Sequence, residues 1–268
     1  MSSRNAHTKI FVSGATGFIG KAVVYALLEA GAQVTALIPP NALVSPSVPG
    51  SPQNPLNIPD PEGRLRQVEG DVWHRGSLSG RSRGHQTVIH LIGSTRQNPE
   101  QGQTYQHLNV VSTQNIARMT IGDGVPRLIF LSAAGAPWLP RAYIQNKRAA
   151  ERYLQRSGAR WTTIRAPLAY PAGRLHNPLL LFFSGMASIP IMGRPFTRWA
   201  PLPVDVMARG IAQLALDEDS SGTTIYGRDL RRYSRLYTPA TSPFEQPANN
   251  QQQPRQQNNE NTPFGWLP

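Results

Sequence analysis

Cysteine is absent from the 268 residues, which excludes disulfides, a thiolate nucleophile and thiolate metal ligands. Acidic residues are scarce, 15 against 27 lysines and arginines, so the net charge is +12. Long apolar runs are missing as well. LLLFF at 179–183 is short beside the ~20 residues of a membrane span. The opening MSSRNAHTK is polar and contains no apolar signal region. These absences lead to the expectation of a cytoplasmic protein with no transmembrane segment. The positive balance raises nucleic acid as a partner. However, the arginines are scattered, with small clusters at RSR (81–83) and RDLRR (228–232), and no basic stripe is interleaved with aromatics. No nucleic-acid partner is therefore expected. His7, His74, His85, His90, His107 and His176 show no metal-ligand spacing, so no metal site is expected. His90, inside an apolar run, reads as a satisfied core histidine.

What is present starts at residue 10. IFVSGATGFIG (10–20) is an apolar run that empties into Gly14, Gly17 and Gly20. KAVVYALLEAG (21–31) follows, with Val24, Leu27 and Leu28 on one helical face and Gly31 as a stop. A strand, a glycine turn and a helix in this order make a cradle for a phosphate. Glycine lets the backbone approach the anion, and the free N–H groups at the helix start favour its charge. The spacing is G-x-x-G-x-x-G rather than G-x-G-x-x-G. Thr16 and Lys21 flank the turn as possible phosphate contacts.

Strand and helix signals then alternate. Strands are expected at 33–38, 64–70, 87–93, 127–133 and 161–167, with helices at 105–124, 141–158 and 203–218. Such alternation predicts an α/β fold with a doubly wound parallel sheet of Rossmann type over residues 1–218. Residues 39–63 read as an irregular loop. Residues 168–203, rich in Pro, Gly and bulky apolar side chains, are expected to form a small substrate-side lobe with a helix near 178–187. Trp138, Phe182, Phe183, Met186, Met192, Phe196 and Trp199 are candidates for an apolar substrate cavity. Residues 219–233 read as a C-terminal extension. From 234 to 268 the Pro/Gln/Asn composition predicts a disordered tail with no buried face.

Tyr143 and Lys147 lie four apart in YIQNK, on one face of the predicted 141–158 helix. A nearby ammonium is expected to lower the tyrosine pKa and make it a usable acid or base. With GATGFIG and YIQNK together, the chain resembles the short-chain dehydrogenase/reductase superfamily. It is most similar to the extended or atypical branch, which includes epimerase/dehydratase-like and NmrA-like proteins and the nucleotide-binding accessory subunit of respiratory complex I. EGDV (69–72), VIHLIG (88–93), LNVVSTQNIARM (108–119), IRAPLAYPAGR (164–174) and PLPVDVMARGI (201–211) extend the resemblance over residues 9–218.

That resemblance implies a dinucleotide held by Gly14, Thr16, Gly17, Phe18, Ile19 and Gly20. Asp71 and Val72 would lie at the adenine, with Gly93 and Asn109 along the cofactor. Tyr143 would exchange a proton with substrate, and Lys147 would bind the nicotinamide ribose. Ser132, the only serine in LSAAGA (131–136), would orient the substrate, although Ala133 and Ala134 stand where the family often carries its serine. Strand two ends in Ile38, Pro39 and Pro40, without the acid that binds both ribose hydroxyls in NAD enzymes. NADP(H) is therefore favoured over NAD(H). Two functions follow. One is an NAD(P)-dependent oxidoreductase or epimerase/dehydratase-like enzyme on an unknown hydroxyl or carbonyl small molecule. The other is a non-catalytic NAD(P)H-binding sensor or assembly protein.

Overall fold

The computed structural model describes residues 8–40, 55–60, 62–171, 199–217 and 221–240. Seven strands form one sheet: β1 (Lys9–Ser13), β2 (Gln33–Ile38), β3 (Leu65–Glu69), β4 (Thr87–His90), β5 (Arg127–Ala133), β6 (Trp161–Ala166) and, late in the chain, β9 (Thr223–Tyr226). The order across the sheet is β3-β2-β1-β4-β5-β6-β9, and every pairing is parallel. The helices between them are α1 (Phe18–Glu29), α2 (Arg75–Leu78), α3 (Ser112–Gly122), α4 (Arg141–Arg156), α5 (Val204–Leu216) and α6 (Gly227–Leu236). This is the doubly wound Rossmann-type α/β fold. The strand order reverses between β1 and β4, which opens a crevice at the carboxyl ends of the strands.

Both faces of the sheet are covered, so successive strand residues enter two different cores. Ile10 and Val12 of β1 pack with Val24 and Leu27 of α1 and with Ile211 and Leu214 of α5. Phe11, between them, packs on the other face with Val88, Leu128 and Phe130, under Ile116 of α3 and Leu154 of α4. α5 and α6 meet closely: a Cβ on Gly210 would lie 2.5 Å from the Leu230 carbonyl oxygen.

The expected strands and helices appear within a few residues of their sequence-based positions, except that α1 begins at Phe18 rather than Lys21. The expected helix at 105–124 starts as a π-turn, His107–Val111, before α3. Two strands of two residues, β7 (Ala169–Tyr170) and β8 (Leu202–Pro203), pair in parallel at the edges of the expected lobe. The expected helix at 178–187, with Phe182, Phe183, Met186, Met192 and Phe196, lies outside the described residues.

The expected tail boundary at 234 is corrected. Residues 234–236 belong to α6, and the Tyr237 hydroxyl donates to the Ala26 carbonyl oxygen at 2.7 Å. The Ala240 N–H donates to the Glu29 carbonyl oxygen at 2.8 Å, so the chain is tied to α1 through residue 240. Composition alone missed this because the anchor is one tyrosine that reaches the C-terminal end of α1, not an apolar stripe. Among the described residues, no helix is long and apolar enough to cross a membrane.

Candidate functional site

One cavity of about 230 Å³ runs along the crevice, from the glycine turn to the ends of β5 and β6. Gly14, Thr16, Gly17, Phe18, Ile19, Gly20, Asp71, Val72, Gly93, Ser132, Tyr143 and Lys147 all line it. Asn109 does not.

The three glycines have different reasons to be glycine. Gly14 has φ +81°, and a Cβ there would lie 2.9 Å from the Ile92 nitrogen. A Cβ on Gly20 would run into the Gly14 carbonyl oxygen. At Gly17 the backbone is ordinary, φ −72°, and a Cβ would approach nothing closer than the Gly14 oxygen at 3.4 Å. The fold therefore requires glycine at 14 and 20 but not at 17. α1 begins immediately after Gly17 with no side-chain cap and no acidic residue in its first turn. Its positive end is left for an anion, so these residues fit a pyrophosphate.

At the far side of the crevice, the Asp71 carboxylate accepts the Trp73 N–H at 2.8 Å and lies 3.0 Å from His74 Nδ1. Trp73, which the sequence analysis passed over, lines the cavity and is 39% exposed at its rim.

Lys147 is buried on α4. Its ammonium donates to the Leu131 carbonyl oxygen at 2.9 Å and the Ile92 carbonyl oxygen at 3.2 Å, and stands 4.9 Å from the centre of the Phe130 ring. Gly93 crosses directly over it. A Cβ on Gly93 would collide with Nζ and come within 2.8 Å of Asn109 Oδ1. Asn109 thus lies beneath Gly93, behind the cavity wall. Its Nδ2 donates back to the Tyr105 carbonyl oxygen at 2.9 Å, and its buried Oδ1 has no partner among the described residues. A direct cofactor contact is not what this geometry offers.

The Tyr143 hydroxyl has no hydrogen-bond partner among the described residues, and its ring lies 6.0 Å from that of Tyr105. The expected lowering of its pKa by Lys147 is corrected. Burial pushes the Tyr143 phenol up, with Arg148 the charge that opposes this. Burial also carries Lys147 from 10.5 down to about 7, against the pull of Glu151. An ammonium that is itself desolvated and bonded to two carbonyls does little for a neighbouring phenol. His90 lies below, fully buried, with Nδ1 2.8 Å from Ser13 Oγ. Burial first, and then Lys147, hold it at about 3, so it stays neutral as a core residue.

Ser132 is not free. Its hydroxyl donates to Glu151 Oε1 at 2.5 Å and accepts from Arg148 Nη1 at 3.2 Å. Glu151 is 3% exposed and also takes Arg148 and, at 2.7 Å, Arg165, which donates on to the Tyr226 hydroxyl at 3.0 Å. Arg165 on β6 is the register partner of Ser132 on β5. With its proton committed to Glu151, Ser132 cannot also donate to a substrate carbonyl. Glu151, Arg148 and Arg165 were missed from sequence. The available signal was Tyr143, Lys147 and Glu151 at i, i+4 and i+8 on one stripe of α4.

Residues 14–170 match the NAD(P)H-binding protein family over more than half of the sequence. The chain belongs to that family. A curated relative, NADH dehydrogenase [ubiquinone] 1 alpha subcomplex subunit 9, mitochondrial, of Arabidopsis thaliana, is 28% identical over 219 residues. These are 80% of this chain and 52% of the relative. A putative dihydroflavonol 4-reductase of Synechocystis is 29% identical over 126 residues, 47% of this chain and 33% of the relative. The chain therefore spans about half of the first curated relative and a third of the second. Among solved structures, DesIV, the dTDP-glucose 4,6-dehydratase of Streptomyces venezuelae with NAD bound, superposes with a TM-score of 0.56 at 20% identity. The superposition covers 85% of this chain and 80% of DesIV. The family member described here thus carries an NAD(P)H-binding domain on a Rossmann-type fold like that of DesIV.

Proposed function

We propose that the chain is an NADP(H)-dependent oxidoreductase or epimerase-like enzyme acting on a hydroxyl or carbonyl compound, with Tyr143 as its proton donor. The observation that carries this reading is the Tyr143 hydroxyl. Among the described residues it has no hydrogen-bond partner, and it stands on a cavity wall, one helical turn from Lys147, where the dinucleotide cradle meets the apolar end of the cavity. Gly14, Gly17 and Gly20 would hold the pyrophosphate, Val72 and Trp73 would flank the adenine, and Lys147 would take the nicotinamide ribose. The missing acid among Ile38, Pro39 and Pro40, which line the cavity, supports NADP(H). A reduced cofactor, when bound, would supply a hydride. In the reducing direction the substrate C=O becomes C–OH: its carbon takes the hydride and its oxygen takes the Tyr143 proton. The phenolate left behind would recover a proton from solvent, with Arg148 as the charge that favours it. Ser132 already donates its proton to Glu151, so Tyr143 alone provides the proton for the substrate.

The test is NADPH oxidation over a panel of carbonyl compounds. Tyr143→Phe should lower turnover by ~10²–10⁴-fold while NADPH affinity is kept. Turnover insensitive to this substitution would overturn the mechanism. A non-catalytic sensor or assembly role is favoured by one observation, the commitment of Ser132 to Glu151. It predicts tight NADPH binding with no turnover on any member of the panel.

A further inference from the structure

The cavity has two ends with different chemistry. Its charged lining side chains among the described residues are Asp71, at the adenine end, and Lys147, bonded to two backbone carbonyls. Beyond Tyr143 the described wall is Ala134, Ala136, Leu139 and Leu168, closed by Trp138 and Trp199 with ring centres 6.2 Å apart, edge to face. Arg148 is not among the described residues that line this end. It lies behind the wall, where Nη2 donates to the Ala133 carbonyl oxygen at 2.9 Å and Nη1 is spent on Glu151. A nucleotide-sugar brings a diphosphate and a ring of hydroxyls. A buried phosphate needs a cation or free backbone N–H donors, and each buried hydroxyl a partner. The described lining at this end offers no cation, and its side-chain hydroxyls are Tyr143 and the committed Ser132. It offers alanine and leucine surface and two indoles, which suit apolar and planar groups.

We infer that the substrate end of the cavity takes an uncharged, largely apolar carbonyl compound, its oxygen at Tyr143 and its body against Trp138 and Trp199, and rejects nucleotide-sugars. This inference rests on the oxidoreductase reading for the role of Tyr143, but the affinity it predicts can be measured without turnover. The chemical step is the one above: the carbonyl carbon gains the hydride of NADPH, the oxygen gains the Tyr143 proton, and alcohol and NADP⁺ leave.

The experiment uses the full chain saturated with NADPH. Tryptophan fluorescence is titrated with 2-naphthaldehyde, decanal and UDP-glucose, and NADPH oxidation is followed in parallel. The two apolar aldehydes should bind and UDP-glucose should not. Trp138→Ala, at a residue 38% exposed, should weaken 2-naphthaldehyde binding by roughly tenfold, the worth of an aromatic contact, with NADPH affinity unchanged. Binding of the aldehydes without turnover supports the inference and overturns the oxidoreductase reading. Binding or turnover of UDP-glucose overturns the inference and leaves that reading standing. Failure of both aldehydes to bind, or indifference to Trp138→Ala, also overturns the inference.

Discussion

Replacing Glu151 by glutamine should cost stability first, because its carboxylate joins three elements that the sheet alone does not lock. It accepts from Ser132 on β5, Arg148 on α4 and Arg165 on β6. Glutamine keeps one acceptor oxygen but removes the charge that two guanidiniums share. Breaking a fully buried ion pair costs about 3–5 kcal/mol. Here the Arg148 and Arg165 side chains are 24% and 28% exposed. They regain some water in the variant, so about 2–4 kcal/mol is the better expectation. At roughly 2–4 °C per kcal/mol for a domain of this size, the melting temperature should fall by about 4–16 °C. Circular dichroism on heating at neutral pH measures it.

The pH dependence gives a second, independent reading of Glu151→Gln. Burial alone would raise the Glu151 carboxyl. The hydrogen bonds from Arg165 and Ser132 and the charges of both arginines outweigh burial and hold it below its ordinary 4.5. The unfolded chain therefore takes up the proton first as pH falls. The stabilisation is complete above about 4.5 and is lost as the folded group titrates below it, so the gap between wild type and variant should close in acid. A fall under about 2 °C, or a gap that persists unchanged through the acid range, would refute the assignment of this carboxylate as the ionised hub.

Two further outcomes are expected. Gly17→Ala should leave the melting temperature within about 2 °C, since its Cβ meets nothing closer than 3.4 Å, yet weaken NADPH binding at least tenfold by calorimetry; equal affinity would remove the pyrophosphate from this turn. Lys147 is brought by burial to about 7 in the folded chain against 10.5 unfolded, so stability should rise with pH between these values, and Lys147→Met should abolish that rise in urea titrations.

The sheet was legible because each strand enters two cores, which forces short apolar runs bounded by glycine or proline. Tyr143 and Lys147 were legible because four residues is one helical turn. Three features were not. The strand and helix at 223–236 carry too few apolar residues for a period to show: α6 is GRDLRRYSRL, yet Leu230 is fully buried and Gly210 lets its backbone close in. The placement of Asn109 behind Gly93 follows from the π-turn, a backbone irregularity with no composition signal. The Glu151 cluster joins residues from Ser132 to Tyr226 that only the strand register brings together.

That cluster also bears on how the site divides its labour. A triad that donates from both serine and tyrosine holds a carbonyl oxygen by two hydrogen bonds, whereas here Glu151 removes one donor and leaves Tyr143. Orientation of the substrate must then come from shape, and the wall beyond Tyr143 supplies it with alanines below and indoles at the rim. The same division runs through the glycine turn. Gly14 and Gly20 are glycine because the protein's own backbone fills the space a side chain would need, while Gly17 is glycine in space the protein leaves empty. A residue whose identity the fold does not require, placed where an uncapped helix begins, would have its reason in the proposed pyrophosphate.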